Sequence, residues 1–311
     1  MRYKVLYRGP LSSCNYSCEY CPFAQTKASK ESLEEDRSAL NKLTKWLDSQ
    51  DNQFKIFFTP KGEALTYPYY KEAITKLSWK KNIGKVVIQT NLSCDTDWIE
   101  SCNVNKTAFW LTYHPEEVKA DDFAEKCLKL NKTGVQYSVG VVGTKEYFDS
   151  IRKMRNLLPD ETYLWINAFK RSDDYYTGEE IEELVSIDPL FRDNLEYYDS
   201  LGQSCKTGYD VFAVEGNGDI KRCHFSEEVL GNISSHTLDQ VSKKRPCSTP
   251  TCHCHIGYVY LEHLKLDKIY GSKILERIPN HFRNENINEG KTIKHTGKYI
   301  KGISFLPFKS L

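Results

Sequence analysis

Six short runs rich in β-branched and aromatic residues, separated by segments with helical spacing, constrain the fold of this chain more than any other feature. The runs are Tyr3–Tyr7, Phe54–Phe58, Lys85–Gln89, Ala108–Thr112, Val135–Val142 and Thr162–Ala168. Between them, Ser32–Ser49 sets Leu33, Leu40, Leu43, Trp46 and Leu47 on one face. Tyr69–Trp79, Asp121–Leu130, Lys145–Leu158 and Thr177–Ile187 continue the pattern. A strand followed by a helix, repeated six times, predicts an α/β fold with a parallel sheet and right-handed crossovers.

In such folds the chemistry sits at the carboxyl ends of the strands. Cys14, Cys18 and Cys21 follow the first strand, Gly62-Glu63 the second and Thr90-Asn91 the third. Tyr113 and His114 end the fourth, Gly143 follows the fifth and Asn167 lies near the end of the sixth. After residue 195 the rhythm stops. Asp210–Glu215, the turn Gly216-Asn217-Gly218 and Asp219–Phe225 read as a hairpin. The expected division is therefore 1–195, a cysteine-rich module at 196–260 and an extension at 261–311.

With 43 Lys and Arg against 42 Asp and Glu, the net charge of +1 argues against a dedicated nucleic-acid binder. No stretch approaches the ~20 apolar residues of a membrane span, and the first residues lack a signal-peptide h-region, so a cytoplasmic protein is expected. Thiols stay reduced there, and the 11 cysteines read as metal ligands or catalytic groups rather than disulfides. Cys94, Cys102 and Cys127 lack ligand spacing and read as small buried hydrophobes.

Cys14-Asn-Tyr-Ser-Cys18-Glu-Tyr-Cys21 is CX3CX2C with an aromatic residue before the third cysteine. Structural zinc wants four closed ligands, usually as two separated pairs, whereas this loop offers three. A cubane held by three thiolates leaves one iron open to a chelating ligand. On these residues the chain resembles the radical S-adenosylmethionine (SAM) superfamily. The opening LYRGPLSSCNYSCEYCPFA, with FFTPKGEAL, QTNLS, LTYHPEE and YSVGVVG, is similar to one uncharacterised bacterial branch of it. The resemblance implies a partial (β/α)6 TIM-like barrel in which Cys14, Cys18 and Cys21 hold a 4Fe-4S cluster that binds SAM. Reductive cleavage there gives methionine and a 5′-deoxyadenosyl radical that takes a hydrogen atom from substrate.

Other positions follow from the same resemblance. Gly62-Glu63 matches the end of the Gly-Gly-Glu signature that holds the methionine amino group, with Lys61 in place of the first glycine. Tyr20 is the adenine-side aromatic. Val142 and Gly143 offer backbone to adenine, and the polar side chains of Asn91, Ser138 and Asn167 stand where the cofactor could be hydrogen-bonded.

Cys205 and Cys223 form C-x12-G-x4-C around Gly218, followed by Cys247-x4-Cys252-x1-Cys254. This resembles the SPASM and twitch auxiliary-cluster modules that follow the barrel in several members. Five cysteines suffice for one four-thiolate cluster, which leaves one of them spare. A zinc site is the alternative, because His224, His253 and His255 adjoin these cysteines.

The reading that results is a radical SAM enzyme acting on a peptide or natural-product-like substrate, fed by a low-potential donor such as flavodoxin or ferredoxin. The alternatives are the same chemistry on a small metabolite or nucleotide, or a noncatalytic iron-sulfur or zinc protein. The stretch 291–311 carries five lysines and no acid, with Ile303, Phe305, Leu306 and Phe308 as docking side chains.

Overall fold

The computed structural model describes residues 2–23 and 27–282. The basic stretch 291–311 lies outside the described residues. Six parallel strands pair in sequence order: β1 (Arg2–Arg8), β2 (Gln53–Phe58), β3 (Ile83–Thr90), β4 (Thr107–Tyr113), β5 (Gln136–Val142) and β6 (Leu164–Asn167). Helices α1 (Lys30–Asp48), α2 (Pro68–Trp79), α3 (Ala120–Thr133), α4 (Phe148–Leu157) and α5 (Gly178–Ile187) cover the outer face. This is the parallel α/β sheet that the alternation predicts, in the partial-barrel form that the resemblance implies.

The period of two along the strands divides the interior. Val5, Ile56, Ile88, Leu111, Val139 and Ile166 point outward into the core shared with the helices. α1 meets them with Leu40, Leu43 and Leu47. Its start is fixed by Ser29, whose hydroxyl accepts from Ser32 N at 3.2 Å. Leu6, Phe57, Val87, Trp110 and Trp165 point the other way, into the concave face.

One crossover departs from the expected sixfold repeat. Between β3 and β4 the chain makes only a 3-10 turn, Asp97–Ser101. Asn91, Ser93, Asp95, Asp97, Asn103 and Asn105 crowd this connection, and such side chains compete for backbone groups and favour turns over helix.

Beyond α6 (Phe191–Leu195) and β7 (Tyr198–Asp199), the hairpin β8 (Val211–Glu215) and β9 (Asp219–Lys221) turns at Gly218, whose φ of 93° suits glycine. β8 lies parallel to β1, and β10 (Val229–Asn232) completes a nine-stranded sheet among the described residues. The helix α7 (Leu238–Val241) and β11 (Thr251–Cys252), which pairs with β7, lead to α8 (His255–Tyr258) and α9 (Leu266–Tyr270). This last segment fills the concave face: Ile256, Tyr258, Tyr260, Leu261, Tyr270 and Leu275 pack on Leu6, Phe57, Trp110 and Trp165. Glu276 follows, fully buried, 3.3 Å from Lys85 Nζ on β3. No helix among the described residues is long and apolar enough to cross a membrane.

Leu275 is 1% exposed. Leu275→Ala should therefore cost about 2–5 kcal/mol in denaturant unfolding. A loss below about 0.5 kcal/mol, the range of a surface change, would contradict the assignment of this segment to the core.

Candidate active site

The loop from β1 to α1 carries Cys14, Cys18 and Cys21 on the rim, and its neighbours fix its course. At the entry, a Cβ on Gly9 would stand 2.5 Å from Asp36 Oδ1, so only glycine lets the chain pass. Asp36, buried on α1, accepts from Leu11 N at 3.1 Å, Tyr69 Oη at 2.8 Å and Tyr70 Oη at 3.2 Å. Next, Ser13 lies directly on Gly62: Glu63 N donates to Ser13 O at 3.0 Å, and a Cβ on Gly62 would stand 1.8 Å from that oxygen.

Glu63 ties together the loops that follow β2 and β3. Its carboxylate accepts from Leu65 N (3.0 Å), Thr90 Oγ1 (2.9 Å) and Asn91 N (2.6 Å). Leu92 turns the chain at φ 56°, with its N–H on Thr90 Oγ1 at 3.0 Å. Asn91 Nδ2 then reaches Asn15 Oδ1 at 3.1 Å and Cys14 Sγ at 3.9 Å. Cys14 Sγ also accepts from Tyr16 N at 3.5 Å, and Cys21 Sγ from Phe23 N at 3.4 Å. Cys21 N donates to Cys18 O at 3.0 Å, which closes the turn that carries the second and third thiols.

The segment after β4 braces the loop from the other side. Ser17 N donates to Glu117 Oε1 at 2.5 Å and Glu19 N to Glu116 Oε2 at 3.0 Å. Tyr20 Oη meets His114 Nδ1 at 2.7 Å, and Cys18 Sγ lies 3.2 Å from the same nitrogen. Burial lowers the His114 pKa to about 4, so the ring is neutral at physiological pH, and burial pushes the Cys18 thiol up to about 12. Arg171 caps the Tyr20 carbonyl.

The structure thus brings Cys14, Cys18, Cys21, Tyr20, Gly62, Glu63 and Asn91 together. Val142, Gly143 and Asn167 stand further round the rim, where Gly143 N donates to Asn167 O at 2.9 Å and Tyr176 Oη to Gly143 O at 2.5 Å. Ser138 is apart from them: its hydroxyl donates to Glu276 O at 2.8 Å and accepts from Trp165 Nε1 at 3.2 Å, deep on the concave face. Sequence reasoning named Thr90 on the rim but missed Asp36, Glu116, Glu117 and Arg171, which act through long-range bonds that leave no periodic pattern. LTYHPEE was the one visible signal, and it contains both bracing glutamates.

A second set lies where the hairpin meets the end of the chain. Cys205, Cys223, Cys247 and Cys252 line one cavity with Phe225 and Leu261. Gly257 leaves space beside Cys252, since a Cβ there would stand 2.7 Å from its sulfur. Buried Arg222 ties the strands behind the cavity by donating to the carbonyls of Pro246, Thr207 and Arg245. Cys254 does not line this cavity. The charges that bear on it are those of Arg277, Arg8 and Lys170. Of the neighbouring histidines, His224 is held between Glu215 (3.2 Å) and Thr59 Oγ1 (3.1 Å), and His255 lies against Trp110. No three His, Cys, Asp or Glu side chains among the described residues are gathered as the shell of a single metal ion. Cys102 and Cys127 are buried and Cys94 is half-buried, all packed with the outer core.

No family model matches the chain, and neither does any curated protein. Among solved structures it is similar to native anSMEcpe with bound AdoMet, which is SAM, and the Cp18Cys peptide: TM-score 0.53, 17% identity, 78% of this chain and 80% of that one. A histidine-tagged form of anSMEcpe with bound AdoMet aligns at TM-score 0.53 and 17% identity over 88% of this chain and 85% of the other. SuiB of Streptococcus suis bound to S-adenosylmethionine aligns at TM-score 0.48 and 15% identity over 76% of this chain and 64% of that one. At these identities the likeness to anSMEcpe establishes a shared fold.

Burial raises the Glu63 pKa to about 7 from 4.5. The folded state therefore binds this proton more tightly than the unfolded chain, and stability is full below about pH 4.5 and falls as pH rises towards 7. The loss should reach about 3 kcal/mol in the metal-free protein, and Glu63→Gln should flatten the profile. An unchanged slope in denaturation between these pH values would show that Glu63 is not the group responsible.

Proposed function

We propose that this protein is a radical SAM enzyme with an auxiliary cluster, acting on a peptide or natural-product-like substrate. One observation carries the reading: the three-cysteine loop is pinned by Gly62 and Glu63 on the rim of the partial barrel. The thiols of Cys14, Cys18 and Cys21 suit a 4Fe-4S cluster, since they come from one loop, and Cys14 and Cys21 accept backbone N–H groups of the kind that tune cluster potential. When bound, cluster and SAM supply the chemistry: one electron splits the sulfonium into methionine and a 5′-deoxyadenosyl radical, which takes a hydrogen atom from substrate.

The chain's own residues do the rest. The Glu63 carboxylate is the acceptor for the methionine ammonium, and an ammonium partner would offset the cost of its buried charge. Asn91 and Asn167 offer amides to the cofactor, Val142 and Gly143 offer backbone, and Tyr20 covers the adenine side with its hydroxyl held by neutral His114. In this reading residues 1–195 carry the SAM chemistry and 196–260 the second cluster. Cys205, Cys223, Cys247 and Cys252 hold that cluster, supported by their common cavity, and Cys254 is the spare thiol. A peptide substrate is supported by the fold shared with anSMEcpe, whose structure holds the Cp18Cys peptide. A low-potential flavodoxin or ferredoxin supplies the electron, and the cytoplasm keeps the thiols reduced.

The test is anaerobic purification with metal analysis and assay of 5′-deoxyadenosine. The wild type should carry about eight irons and cleave SAM with a strong reductant. Cys18→Ala should abolish cleavage, and deoxyadenosine production that survives it would overturn the proposal. Cys252→Ala should lower the iron to about four, while Cys254→Ala keeps about eight. About four irons with one zinc in the wild type would replace the second cluster by zinc.

A further inference from the structure

Arg277 is a buried cation that makes no ion pair among the described residues. It is 2% exposed, follows the core segment that ends at Leu275, and stacks its guanidinium 4.1 Å from the Trp165 ring and 5.3 Å from that of Trp110. Its Nε has no hydrogen-bond partner, and no carboxylate lies within 4.0 Å of the guanidinium among the described residues. The nearby carboxylate of Asp188 is already occupied by Tyr163 Oη (2.7 Å), Ile166 N (2.8 Å) and Leu190 N (3.0 Å). A buried guanidinium with an open donor fork is costly unless an anion completes it.

Two further cations also lack an ion-pair partner. Lys170 Nζ donates only to the carbonyls of His253 (3.0 Å) and Glu196 (3.1 Å), beside Cys254. Arg8, at the end of β1, donates to Thr59 O at 3.1 Å. Neither forms an ion pair among the described residues, and neither lines the four-cysteine cavity.

We infer that Arg277 forms a carboxylate-binding site that anchors the substrate. This rests on the radical SAM reading for its purpose, though the anion site can be measured without it. The planar fork of arginine matches a carboxylate in two parallel hydrogen bonds, and its stacking on Trp165 fixes the plane in which they form. The rings beside it, Trp165 and Trp110, suit an organic acid with an apolar body rather than a free inorganic dianion.

Calorimetric titration of the iron-loaded protein with N-acetylglycine and with N-acetylglycinamide, which lacks the carboxylate, tests the site. The acid should bind at least tenfold more tightly than the amide, and Arg277→Met should remove that difference. Should this variant fail to fold, Arg277→Lys serves: it should weaken the acid severalfold and leave the amide unchanged. Equal binding of both compounds, a preference for inorganic phosphate, or no saturable binding of the acid would each overturn the inference. Cleavage of SAM by the same wild-type preparation is scored separately. Its absence would remove the radical reading while the titration still decides the carboxylate site.

Discussion

The buried Glu63 carboxylate is the constraint on which the rim depends. Three donors from two loops converge on it, and the backbone beside it supports Ser13 at the foot of the cysteine loop. A charge in such a place is expensive, and burial raises its pKa to about 7. In the proposed reading, the methionine ammonium is the cation that would hold this carboxylate ionised. Gly62 performs the complementary steric task, because any side chain there would occupy the position of the Ser13 carbonyl.

The end of the chain gives the barrel its contents. An open sheet of parallel strands leaves its concave face bare, and Ile256 to Leu275 cover it with aliphatic and tyrosine side chains. In the proposed reading the same segment carries chemistry on both sides. Gly257 makes space beside Cys252 at one end, and Arg277 stands on Trp165 at the other. Stability and function thus share one stretch of sequence. The hairpin joins this arrangement through β8 on β1, so the four-cysteine cavity and the three-cysteine loop are anchored to adjacent strands.

Much of this was legible in the sequence, for physical reasons that also mark where legibility ends. Period-two runs such as FKIFF and helical runs such as Ser32–Ser49 report burial locally, so the strands and most helices could be read directly. The polar connection 91–106 reads as turn only once its Asn, Asp and Ser residues are weighed against the rhythm around it. The pairing of β8 with β1 joins residues about two hundred positions apart and has no local signature. Cysteine spacing placed both sets but could not show that Cys254 lies outside the cavity, because that depends on how the turn after β11 directs each side chain. Ser138 was polar and on the right strand, yet near its start, where Glu276 and Trp165 engage it. Arg277 belongs to no motif, and only the packing of the last segment reveals it.

The central claim, that an iron left open by three cysteines receives SAM beside Glu63, is tested most directly by resonance spectroscopy of the reduced protein. Electron-nuclear double resonance with SAM labelled with 15N at the methionine amino group should show nitrogen coupled to the reduced cluster. That coupling should vanish in Cys18→Ala. A reduced cluster whose spectrum does not change on adding SAM would contradict the account.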